Sequence, residues 1–72
     1  MAKYIITDKG EVRHGENTFH KILAEGTKGR VVAAGHFSRG ADGSIKVFGV
    51  SHGYNIDSKP EDAAVLKAYF KK

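Results

Sequence analysis

The chain has no cysteine, one proline and no long apolar run. Without cysteine, neither a disulfide framework nor a thiolate metal site can reinforce the fold. The apolar stretches are short and broken by Lys, Asp or Gly, far from the roughly 20 residues that span a bilayer. The first ten residues, MAKYIITDKG, offer one Lys and then three apolar residues, too few for a signal-peptide core. These absences make a cytoplasmic protein without membrane contact the default expectation. Charge is not scarce, but it is spread out. Twelve Lys and Arg against eight Asp and Glu give a net +4, scattered along the chain except for Lys71 and Lys72. That distribution suits a solvated surface and favours anionic partners without choosing among them.

Seventy-two residues leave room for one domain, residues 1–72. A chain this short buries only about 60% of its unfolded surface, so its core is thin. Lys3 to Thr7 is a β-rich run closed by Asp8-Lys9-Gly10, a hairpin signal. Glu11 to His14 returns as a short polar strand suited to a sheet edge. Asn17 caps a helix over Thr18 to Glu25, with Phe19, Ile22 and Leu23 on its core face and Gly26 at its end. Arg30 to Ser38 reads as a strand with small residues in its middle. Asp42-Gly43 is a turn, and Ser44 to Val50 alternates as the clearest strand, Ile45, Val47 and Gly49 facing one way. Ser58 and Glu61 form a capping box, with Pro60 in the first turn of a last helix that buries Ala63, Leu66, Tyr69 and Phe70. The expected fold is α/β (α+β): ββαββα, a four-stranded, mostly antiparallel or mixed sheet with two helices.

Four histidines stand out: His14, His20, His36 and His52. Their spacings match no local ligand motif, and a zinc site needs three or four to converge, so neither metal nor other cofactor is expected. His20 falls in the first turn of the first helix. There the positive end of the helix favours a neutral, proton-accepting imidazole; the plain alternative is a surface histidine. The second candidate is Ser51-His52-Gly53, just after the strongest strand, where Ser and Gly can expose successive backbone N–H groups to a phosphate. An ordinary strand-to-helix connection uses the same residues.

In order along the chain, Lys3-Tyr4-Ile5-Ile6, Thr18-Phe19-His20-Lys21-Ile22, Ala33-Ala34-Gly35-His36-Phe37-Ser38 and Ile45 to Tyr54 (IKVFGVSHGY) resemble the janus/ocnus family, to which the protein histidine phosphatases belong. The resemblance covers roughly Lys3 to Phe70. It implies a phosphatase acting without a metal on phosphohistidine or a similar phosphoramidate. His20 would be the general base or the nucleophile. Lys3 and the backbone N–H groups around Ser51, His52 and Gly53 would hold the phosphoryl oxygens. The family's Arg in the small-residue strand is His36 here, which makes His36 an auxiliary candidate. The implied partner is a phosphorylated protein or small phosphoramidate, and the expected state is a monomer or weak homodimer. A non-catalytic phosphate or phosphoprotein binding module is the second reading. A small basic nucleic-acid-contacting protein ranks last, because no recognition helix or RNA-binding motif is present.

Overall fold

The computed structural model describes residues 2–51 and 53–71. Its elements are β1 (Ala2–Thr7), β2 (Val12–Glu16), α1 (His20–Ala24), β3 (Val31–Arg39), β4 (Ile45–Phe48), β5 (Val50–Ser51), β6 (Ile56–Asp57) and α2 (Pro60–Phe70). The fold is α+β: a four-stranded antiparallel sheet in the order β2-β1-β3-β4, with β5 and β6 forming a second small sheet. The expected ββαββα order holds for the main sheet and the helices. No helix among the described residues is long and apolar enough to cross a membrane.

The hairpin signals are realised at both turns. Gly10 and Gly43 take positive φ, 78° and 87°, the conformation that L side chains resist. Gly10 N–H donates to Thr7 O at 3.0 Å, and Gly43 N–H to Gly40 O at the same distance. The first hairpin also anchors the loop before β3. The Glu11 carboxylate accepts from the backbone N–H of Gly29 at 2.8 Å and of Lys28 at 3.0 Å, and from the Thr7 hydroxyl at 2.9 Å. Those donors, the Lys28 amide foremost, hold its carboxyl below the usual range.

Alternation along the strands separates two faces. Tyr4, Ile6, Val12, Ala33, Phe37 and Leu66 form the core, with Ala2, Ile45, Val47 and Phe70 packed against it. This is the α2 face. Full burial of a side chain such as Leu66 (0% exposed) contributes about 1.5–3 kcal/mol. α2 begins at Pro60, in the first turn as expected, but its cap lies one residue later than the sequence suggests. Lys59 is the N-cap, and the Asp62 carboxylate accepts from Lys59 N–H at 3.1 Å. The same buried carboxylate accepts from the Tyr4 hydroxyl at 2.5 Å, so the tie to the sheet recruits Asp62 in place of the Ser58–Glu61 pair. Burial, then the Asp62 contact, pushes the Tyr4 phenol far above its ordinary range. Tyr69 does not join the core. It is exposed, with its ring edge-on to His14 at 5.8 Å.

Two further expectations are corrected. The strand read as Ser44 to Val50 breaks at Gly49, whose φ of 78° turns the chain out of the main sheet and into β5. The first helix spans His20–Ala24, with Phe19 at its N-cap and no side-chain cap, while Asn17 sits at φ 54° before it. Phe19 is 69% exposed and Ile22 is 52% exposed, whereas His20 is the buried residue of α1 at 7%. The face turned to the sheet is His20, Leu23 and Ala24, an i, i+3, i+4 stripe one residue, or about 100° of helix, on from the expected Phe19, Ile22 and Leu23.

Candidate functional site

The second face of the sheet carries Lys3 and Ile5 on β1 and Ala34 and His36 on β3, and α1 covers it only partly. Antiparallel register sets Lys3 directly opposite His36, so the two side chains stand as cross-strand neighbours. Gly15, opposite Lys3 on β2, has no side chain to occupy the space taken by the Thr18 methyl and by Leu23; an added Cβ would lie 3.3 and 3.4 Å from them. That close approach brings the chain leading into α1 down onto the sheet and places His20 beside His36, with ring centroids 5.6 Å apart and planes edge-to-face.

The His20 ring is fixed by a buried hydrogen bond between Nε2 and the Gly35 carbonyl, 2.8 Å long. A carbonyl only accepts, so Nε2 carries a proton, and in the neutral tautomer compatible with this bond the lone pair lies on Nδ1. The β3–β4 ladder stops at His36 opposite Phe48. The next residue, Gly49, would fall opposite Gly35 but turns away. Gly49 also clears room for His36: a Cβ there would come within 2.8 Å of the His36 Nδ1. The His36 ring stacks on Phe48 at 5.9 Å.

Lys3 Nζ donates to the Thr18 carbonyl at 2.6 Å and lies 5.2 Å from the centre of the Phe19 ring. One of its three N–H bonds is used in this way, and the aromatic face adds a cation–π attraction. Phe19, which the sequence pattern assigns to the core, instead forms a wall beside this ammonium.

These residues enclose a cleft of 380 Å³ lined by Lys3, Phe19, His20, Lys21, His36, Val50 and Gly53. Of the sequence candidates, Lys3, His20, His36 and Gly53 meet there. Ser51 lies between two lining residues in sequence and is itself fully buried, and its hydroxyl has no hydrogen-bond partner among the described residues. With Val50 facing the cleft, alternation turns the Ser51 side chain away from it. His52 lies outside the described residues. Lys21 was not anticipated. Its stem runs along Gly53, with Cε 3.6 Å from where a Cβ would stand. The available signal was its place next to His20 in the first turn of the helix.

Among the described residues, two ammonium groups and two imidazoles line the cleft, and no carboxylate does. Fixed positive charge against apolar walls, Phe19 and Val50, is an arrangement that holds an anion and excludes a cation. A larger hollow of 610 Å³ opens beside the start of β1 and the end of β3. It mixes the Glu16 carboxylate with Arg39, whose guanidinium already sits 4.1 Å over Phe70, so it lacks the single-sign field of the smaller cleft. Among the described residues, no three His, Asp or Glu side chains group as a metal site would require. Compared with known protein families, curated proteins and solved structures, the chain matches none.

Proposed function

We propose that this protein is a phosphatase of the janus/ocnus kind, acting without a metal on phosphohistidine or a similar phosphoramidate. The observation that carries the reading is the meeting of Lys3, His20 and Gly53, remote in the chain, around one cleft with no carboxylate among the described residues that line it. Phosphoryl transfer spreads charge over three equatorial oxygens, so catalysis is mainly positioning within a fixed positive field. Lys3 and Lys21 supply that field, and the backbone near Gly53 supplies N–H donors. The reacting nitrogen is His20 Nδ1, because Nε2 is committed to the Gly35 carbonyl. In either role, Nδ1 takes the proton of an attacking water or bonds phosphorus itself. The phosphorus–nitrogen bond is intrinsically labile, which lets two ammonium groups suffice. The substrates on this reading are phosphorylated proteins or small phosphoramidates of the cytoplasm.

The test is phosphate release from phosphohistidine and phospholysine in the presence of a chelator, for wild type and His20→Ala. The expected result is turnover by wild type and a loss of at least about 100-fold in the variant, with phosphate still bound. Wild type that binds phosphate, shifts the Gly53 amide and releases none would replace the enzyme with a binding module.

A further inference from the structure

We propose that His36 is the acid that protonates the leaving nitrogen. This role rests on the phosphatase reading and extends it, because His20 and the lysines account for attack and for oxygen binding but leave the departing group without a proton source. Three observations support this role. It lines the same cleft as His20, its ring lies edge-to-face with the His20 ring at 5.6 Å, and it is clamped by the Phe48 stack over the gap that Gly49 leaves. A phosphoryl group held against His20 therefore has a second imidazole beside it.

The chemistry balances. As the P–N bond breaks, its electron pair stays on nitrogen, and the His36 imidazolium gives that nitrogen a proton. Where His20 is the nucleophile, its Nδ1 forms the new bond to phosphorus while Nε2–H remains on the Gly35 carbonyl. The phosphorylated ring is then cationic and a good leaving group. Water attacks phosphorus, the electron pair returns to Nδ1, and the water proton restores His36. The net reaction consumes one water and yields amine and phosphate.

Among the described residues, the groups facing His36 include Lys3 from β1, His20 from α1, and the Phe48 ring and Gly49 backbone of the β4 end, with Lys21 of α1 in the same cleft lining. Two ammonium groups resist a further cation, whereas a bound dianionic phosphoryl group favours one. On this proposal His36 carries its proton when the substrate is bound.

The experiment compares phospholysine, whose amine must be protonated to leave, with p-nitrophenyl phosphate, whose phenolate leaves unaided. In His36→Gln the ratio of phospholysine to p-nitrophenyl phosphate turnover is expected to fall about 100-fold, the usual range for losing a general acid. Equal losses on both substrates, leaving the ratio unchanged, would reduce His36 to a structural part. A wild-type measurement stands beside the variant in case it does not fold: the turnover ratio should decline as pH rises and His36 loses its proton, and a flat ratio from pH 5 to 9 overturns the proposal. Wild type that turns over neither substrate overturns the phosphatase reading itself, which separates the two failures.

Discussion

The two faces of the sheet share every strand and differ in almost everything else. Under α2, Tyr4, Ile6, Ala33, Phe37 and Leu66 close into an apolar layer, and its buried carboxylate, Asp62, is bonded to a phenol and a backbone amide. Under α1, a helix of five residues covers only part of the sheet, and the same alternation presents Lys3 and His36 to an open cleft. In a chain with roughly 4 to 11 kcal/mol of total stability, one face supplies most of the cohesion. The other is free to carry Lys3 and Lys21 at its cleft and an exposed Phe19. Strand alternation sets the packed layer and the charged cleft on opposite sides of one sheet.

Substitutions at the closed face should reveal this division most strongly. Leu66→Ala is expected to lose about 2–5 kcal/mol, enough to leave much of the chain unfolded at 37 °C by denaturant titration. A loss under about 1 kcal/mol would mean that the open face shares the load. Alkaline pH tests the same face through Tyr4. Its folded phenol titrates above the unfolded value of about 10, so its contribution is complete below pH 10 and falls away as pH rises through the folded value. Thermal midpoints of wild type should therefore drop above pH 10, and Tyr4→Phe should flatten that drop from a lower starting point. The smallest effect belongs to the open face. Lys21→Met should weaken phosphate binding roughly fivefold, about 1 kcal/mol for an exposed charge, and move the thermal midpoint by less than about 4 °C. A larger thermal shift would break the separation between the faces.

The closed face was the more legible in the sequence. The hairpin glycines, the small residues of β3 and Pro60 in the first turn of α2 announce local conformations that any fold must respect, and they are where the sequence places them. The open face was read by its residues and misread in its geometry. The Phe19, Ile22, Leu23 spacing promises a core stripe, but tertiary contacts start the helix at His20 and turn Phe19 outward to Lys3. Gly49 sits inside an alternating pattern, and only its positive φ reveals that the strand ends there. Lys21 belongs to the cleft because it lies along Gly53, a contact between residues 32 apart that no local pattern encodes. Asp62 shows the same limit on the other side, where a distant tyrosine decides which acidic residue serves the helix end.

Gly35 belongs to both faces at once. Its carbonyl orients His20, while the space a side chain would fill is taken by Ser58 Cβ, 2.8 Å from an added Cβ, and by the Tyr4 hydroxyl at 3.2 Å. A methyl group added on the α2 side would therefore tilt the peptide that orients the His20 ring. At this position the packing of the α2 layer and the orientation of the His20 imidazole are coupled, because a shift on one side reaches the other through a single amide.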